Sequence, residues 1–242
     1  KGLWQLLLDA ASRRTPPGRA EQLTGEQDFM GLTFTVNENV LIPRQDTEIL
    51  VEEVLKELHD GMRILDMCTG SGCILLSLLH YSNDCEGLGV DLSAEALEVA
   101  GRNVLKVLTP EKAEHAHFLQ SDLFEKVEGK FEIIVSNPPY IASAEVDRLM
   151  PEVRDHEPRM ALDGTEDGLY FYRRIIEEAG KHLVSSGMLF FEIGYDQGQA
   201  VSELMRTEGY CDVQVVQDYA GLDRVVFGTY VTVQPAPFAK SR

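Results

Sequence analysis

From about residue 62 onward, short apolar runs rich in β-branched residues alternate with stretches where apolar positions recur every three or four residues. The short runs predict strands at Arg63–Met67, Gly87–Asp91, His117–Gln120, Ile133–Ser136, Met188–Ile193, Val213–Val216 and Val225–Thr229. Helical patterns fill most gaps, near residues 73–81, 94–107, 168–184 and 197–208. Strand and helix alternating in this way predict a doubly wound α/β sheet covered on both faces. The last two strands are separated only by a turn-like Asp218–Asp223, so they are expected to be antiparallel neighbours. The expected fold is therefore a Rossmann-like, seven-stranded, mostly parallel sheet with one reversed strand.

The first sixty residues follow another pattern. Leu3, Leu6, Leu7 and Ala10 form one stripe of a helix over residues 3–14, which Thr15-Pro16-Pro17-Gly18 stops. Phe29 to Ile42 alternates around Asn37-Glu38-Asn39 and predicts a hairpin, ended by Pro43. A helix is expected from about Thr47 to Leu58, with Asp46 or Thr47 as N-cap. This divides the chain into residues 1–27 (a helix and linker), 28–46 (a β-hairpin connector), 47–233 (the α/β domain) and 234–242. The last of these, with two prolines and little periodicity, is expected to be a loose tail.

Composition narrows the classes of function. No stretch approaches the roughly 18–20 apolar residues of a membrane span, and no signal peptide opens the chain, so a cytoplasmic protein is expected. Cys68, Cys73, Cys85 and Cys211 lack zinc-site or disulfide-framework spacing; reduced thiols and no metal are expected. The formal net charge is −18. A protein that tracks a phosphate backbone needs a basic face, so no direct nucleic-acid partner is expected, and a basic protein partner fits better. A monomer is expected.

The strand Ile64-Leu65-Asp66 runs into Met67-Cys68-Thr69-Gly70-Ser71-Gly72, directly before a helix. Ligands of open α/β sheets bind at the carboxyl ends of the strands, and the first strand–helix turn is the usual place. Gly70 and Gly72 let the backbone turn sharply and a ligand approach it. A dinucleotide fingerprint would want a further glycine where Leu75 stands. Asp66, at the strand end, would repel a pyrophosphate but attract an ammonium and a sulfonium. These features point to S-adenosylmethionine and away from NAD. Asp91 follows Gly72 by nineteen residues, where a carboxylate grips a ribose diol. Asp122 is expected to accept from the adenine amine and Leu123 to pack on the ring. The expected cofactor set is Asp66, Cys68, Thr69, Gly70, Ser71, Gly72, Asp91, Leu92, Asp122, Leu123 and Asn137.

After the fourth strand stand Ser136-Asn137-Pro138-Pro139-Tyr140. The two prolines fix φ and remove two backbone donors, so the loop presents carbonyls that no ladder satisfies. The Asn137 side-chain carbonyl and the Pro138 backbone carbonyl can each accept one hydrogen of a substrate NH2 group, with Tyr140 as a flat face beside it. An amide nitrogen is a poor nucleophile because its lone pair is delocalised. Holding both N–H groups would orient it and favour the charge that develops as a methyl group arrives. Asn137, Pro138 and Tyr140 are the expected catalytic residues, and Pro139 joins them in the expected substrate-binding set.

Asn-Pro-Pro-Tyr in this position resembles the signature of class I methyltransferases acting on amide or exocyclic amine nitrogens. The wider chain is similar to the HemK/PrmC family, the glutamine methyltransferases of peptide chain release factors. The resemblance runs from about Leu23 to Gly228. It includes Leu41-Ile42-Pro43-Arg44, Asp46-Thr47-Glu48, Thr69-Gly70-Ser71-Gly72, Glu157-Pro158, Ala161-Leu162-Asp163-Gly164, Asp167-Gly168-Leu169, Glu192-Ile193-Gly194 and Gly221-Leu222-Asp223-Arg224. Gln45 stands where the family usually has proline, and residues 1–27 resemble the remnant of the family's N-terminal helical domain and linker. The resemblance implies methyl transfer to the glutamine of the release factor's Gly-Gly-Gln loop, releasing S-adenosylhomocysteine. Two alternatives are a ribosomal-protein glutamine methyltransferase and an adenine-amino DNA or RNA methyltransferase. The second predicts a basic groove and usually a target-recognition domain, neither of which the sequence offers.

Overall fold

The computed structural model describes residues 24–232. The expected helix over residues 3–14 and the tail from Gln234 lie outside these residues. Seven strands form one sheet: β3 (Arg63–Met67), β4 (Glu86–Asp91), β5 (Ala116–Gln120), β6 (Phe131–Ser136), β7 (Leu183–Glu192), β8 (Tyr210–Gln217) and β9 (Asp223–Tyr230). Their order across the sheet is β5-β4-β3-β6-β7-β9-β8. All neighbours are parallel except that β9 runs antiparallel to both β7 and β8. One reversed strand in seven is the expected arrangement.

The apolar runs are continuous because both faces of the sheet are covered. Successive residues point to opposite faces. Ile64, Ile133, Phe190 and Val225 enter one core with α1 (Gln45–Glu57) and α2 (Cys73–Tyr81). Their neighbours Leu65, Ile134, Phe191 and Val226 enter the other, with α7 (Tyr170–Ala179) and α8 (Gly198–Thr207). Between α2 and α7 in the chain come α3 (Ala94–Val107), α4 (Pro110–Ala113), α5 (Ser143–Val146) and α6 (Pro151–Arg154).

Several expected boundaries move: the last strands begin earlier, at Leu183 and Tyr210, and three further shifts have a clear local cause. The hairpin is β1 (Glu26–Phe29) and β2 (Leu32–Thr35), so its turn is Met30-Gly31 and not Asn37-Glu38-Asn39. Met30 (φ 51°) and Gly31 (φ 72°) are both left-handed, as the tight two-residue turn that matches strand twist requires. Asn37 instead closes a small loop of its own, its side chain accepting from the Asn39 amide at 2.9 Å. The helix expected to begin at Thr47 begins at Gln45, and neither Asp46 nor Thr47 caps it. Thr47 is buried instead. The helix expected to reach residue 184 stops at Ala179, because Leu183 already pairs with Phe131 as the first residue of β7.

The hairpin is tied to the sheet through one buried side chain. Asn103 of α3 accepts from the Thr35 amide at 2.7 Å and donates to the carbonyls of Thr35 at 3.0 Å and Ser71 at 2.9 Å. The hairpin thereby fixes the position of the β3–α2 turn.

Candidate active site

A cleft of about 330 Å³ opens at the carboxyl ends of β3, β4 and β6. Sheet order reverses between β3 and β6, the switch point where open α/β sheets bind ligands. Its floor is the β3–α2 turn, in which Cys68 (φ 63°), Gly70 (φ 54°) and Gly72 (φ 80°) are all left-handed. A Cβ on Gly72 would come within 3.2 Å of both Ala100 and Leu76, so that glycine packs the helix close. Cys68, Thr69, Gly70 and Ser71, four of the residues expected to hold the cofactor, line the cleft.

Asp66 and Gly72 do not line it. Asp66 is fully buried behind the turn, where its Oδ2 accepts from the Thr69 hydroxyl at 2.7 Å and the Leu75 amide at 3.3 Å. In this position the carboxylate holds the turn's shape from behind and does not face the cleft, where a contact with a cofactor ammonium was expected. Burial pushes its pKa up to about 7, against the opposing pull of those two donors. Because the folded value exceeds the unfolded one, the native state holds this proton more tightly. Stability then falls as pH rises from about 4 to 7 and levels above it. Thermal melts of the wild type against Asp66→Asn should show a shallower decline across that window in the variant. Identical slopes would place the titration elsewhere.

Asp91 is held in place rather than free to swing. Its Oδ2 accepts from the Gly70 amide at 2.9 Å and its Oδ1 from the Ser93 amide at 3.0 Å. Burial raises its pKa, while the Ser93, Gly70 and Leu92 amides oppose the rise. Leu92, Asp122 and Leu123 also line the cleft. Leu123 is left-handed (φ 47°), and Asp122 Oδ1 accepts from Arg174 at 3.1 Å, a partner the sequence did not suggest. Phe171, Pro158 and Met160 supply further apolar walls.

Asn137 lies where this cleft meets a smaller hollow of about 120 Å³, and it lines both. Pro138 and Tyr140 line the hollow, Pro139 the cleft. The Ser136 hydroxyl donates to the Met67 carbonyl at 2.6 Å and fixes the start of the loop. Beyond it, neither the Asn137 side chain nor the Pro138 carbonyl makes a hydrogen bond among the described residues. One acceptor is thus left open where the two cavities join, and a second belongs to a residue that lines the hollow.

The loop's far end is clamped. The Gln197 amide donates to the Tyr140 carbonyl at 3.0 Å, and Ile141 exchanges backbone bonds with Leu162 and Gly164. A Cβ on Gly168 would sit 2.4 Å from the Tyr140 carbonyl oxygen, and one on Gly164 2.8 Å from the Tyr140 Cα. Only glycine permits so close an approach. Asp163 takes the Ser143 hydroxyl at 2.5 Å and the Thr165 amide at 2.9 Å, shaping the same segment. Above the hollow, Arg44 forms an ion pair with buried Glu157, joining the segment after the hairpin to the segment after Tyr140.

Glu192, at the end of β7, was absent from the expected set. It is buried, lines the hollow, and accepts the Tyr140 hydroxyl at 3.3 Å. Arg44, Thr47, Glu157 and Glu192 all fall within the sequence motifs quoted above. Nothing in one sequence shows that they meet, because they come from positions as far apart as 44 and 192.

A seven-stranded sheet with one reversed strand, a cleft at its switch point and an Asn-Pro-Pro-Tyr loop with open acceptors define a Rossmann-like methyltransferase. The methyltransferase small domain model matches residues 44–153. A Pyrococcus furiosus methyltransferase of known structure superposes with a TM-score of 0.59 at 17% identity, covering 94% of this chain and 97% of that one. At that identity the likeness shows the fold alone. The release factor glutamine methyltransferase of Clostridium acetobutylicum is 45% identical over 208 residues, covering 84% of this chain and 72% of that protein. The protein of the same description from Fusobacterium nucleatum is 39% identical over 226 residues, covering 92% of this chain and 62% of that protein. The chain belongs to the release factor glutamine methyltransferase family.

Proposed function

We propose that this chain transfers the methyl group of S-adenosylmethionine to the side-chain amide nitrogen of the glutamine in the Gly-Gly-Gln loop of peptide chain release factors, in the cytoplasm. The observation that carries the reading is the open acceptor pair at Asn137 and Pro138, set where a cleft of cofactor size meets a hollow of side-chain size. The residues fit the cofactor. Asp91 presents a fixed carboxylate for a ribose diol, the Gly70 turn allows close backbone approach, and Leu92, Leu123 and Phe171 offer apolar cover for a base. Bound there, S-adenosylmethionine supplies an electrophilic methyl on a good leaving group.

The chain's own part is orientation. Asn137 Oδ1 and the Pro138 oxygen take the two N–H groups, Tyr140 flanks the amide plane, and the hollow takes the methylenes of the glutamine. A planar NH2 with two hydrogens to give matches two acceptors; a carboxylate has none to give. The net charge of −18 suits a basic protein substrate better than a nucleic acid. Radiolabelled cofactor incubated with the protein and either a release factor, ribosomal protein, RNA or DNA should label the release factor. Label on nucleic acid or on a ribosomal protein alone would overturn this substrate assignment.

A further inference from the structure

We propose that Glu192 is the proton acceptor of the methyl transfer, taking the proton that the amide nitrogen loses to its Oε2. This rests on the function proposed above. The transfer forms an N–C bond and breaks an S–C bond, and the nitrogen must then shed one N–H. The products are a neutral thioether, a neutral N-methylamide and a protonated Glu192, so the sulfonium and carboxylate charges cancel. The Asn137 and Pro138 carbonyls can orient that nitrogen, but neither is basic enough to keep a proton.

Three observations single out Glu192. First, it lines the hollow and not the cofactor cleft. As the nitrogen becomes tetrahedral, its N–H bonds fold away from the incoming methyl, out of the amide plane and toward the hollow. Second, Glu192 is the carboxylate among the hollow's lining residues, the other ionisable groups there being Arg44 and Tyr140. Third, its two oxygens are unlike. Oε1 accepts the Tyr140 hydroxyl, while the buried Oε2 has no hydrogen-bond partner at normal geometry among the described residues, the Thr47 hydroxyl being the other donor turned toward the carboxylate. A buried carboxylate oxygen left open beside a substrate hollow is costly unless something uses it.

The surroundings keep the group ready to cycle. Burial raises its pKa, and the nearby Thr47 hydroxyl, the Arg224 guanidinium and the Tyr140 hydroxyl hold the rise in check, while Asp46 adds to it. Arg224 is itself shared with Asp218 at 3.0 Å and Asp46 at 3.5 Å. Cys73 and Tyr172 also face the carboxylate, and burial raises both of their pKa values. Both therefore stay neutral near pH 7, so Glu192 is left to carry the titration.

Glu192→Gln keeps the size and an acceptor for Tyr140 but takes up no proton. With a release factor as substrate, it should lower kcat by about 10²-fold or more, within the range of general-base catalysis, and leave KM and cofactor Kd within about threefold. Wild-type kcat/KM for the release factor, with cofactor saturating, should rise with pH along the same curve on which one carboxylic-acid infrared band of the cofactor-bound protein, absent from Glu192→Gln and shifted in Glu192→Asp, disappears. In Glu192→Gln that limb should be gone, and Glu192→Asp should restore part of the rate. Wild-type kcat in Glu192→Gln, or an acid limb that survives in it, overturns the proposal. If Glu192→Gln fails to fold, Glu192→Asp identifies the band by its shift, and a wild-type kcat/KM independent of pH across that band's titration overturns the proposal alone. Asn137→Ala in the same assay separates the two claims. If that variant is slow while Glu192→Gln is normal, only the proton acceptor is wrong; if the wild type methylates no glutamine, both readings fall.

Discussion

Asn137→Ala should lower kcat by about 10²–10³-fold, the usual cost of losing one preorganised hydrogen-bonding group at a reacting centre. The Asn137 side chain has no partner among the described residues, so its removal breaks no internal bond and should leave the fold intact. Cofactor affinity should change much less, because Asp91, Gly70 and Leu123 lie on other strand ends of the cleft. Asn137→Asp keeps an acceptor in place and should not fall below the alanine variant. Single-turnover rates with the cofactor saturating would check both. An alanine variant that methylates at the normal rate would mean that another group presents the nitrogen.

Asp91→Ala should raise the cofactor dissociation constant by about tenfold or more, from charge-assisted hydrogen bonds worth roughly 1.5–3 kcal/mol. The structure adds a reason the sequence could not supply. The same carboxylate accepts from the Gly70 and Ser93 amides, so alanine also releases the turn that forms the cleft floor. Asp91→Asn, which keeps an acceptor, should lose less. Calorimetry finding unchanged affinity in folded Asp91→Ala would mean that the ribose is held elsewhere.

The sheet was legible because each buried strand carries two apolar neighbours that serve opposite cores, as Ile64-Leu65 and Phe190-Phe191 do. The glycine turn and the proline loop were legible because each is a local chemical requirement. The hairpin turn was misplaced for a physical reason. Asn37-Glu38-Asn39 has turn chemistry and uses it in a small loop, while Met30-Gly31 carries the pairing turn with a methionine in a left-handed position. Asp66 was legible as a strand-end carboxylate, but not the direction in which it faces. Thr69 and Leu75 turn it inward, and no spacing rule reveals that. The wall of the hollow was least legible, because Arg44, Asn137, Tyr140 and Glu192 meet only once the sheet is assembled.

The central claim is that the Asn137–Pro138 acceptor pair exists to hold a glutamine NH2. The most direct measurement is tandem mass spectrometry of a release factor after incubation with this protein and S-adenosylmethionine, beside a release factor in which the Gly-Gly-Gln glutamine is glutamate. A single methyl group on the side-chain nitrogen of that glutamine, and none on the glutamate variant, is the predicted result. A methyl group on any other residue, or equal methylation of the two release factors, would contradict it.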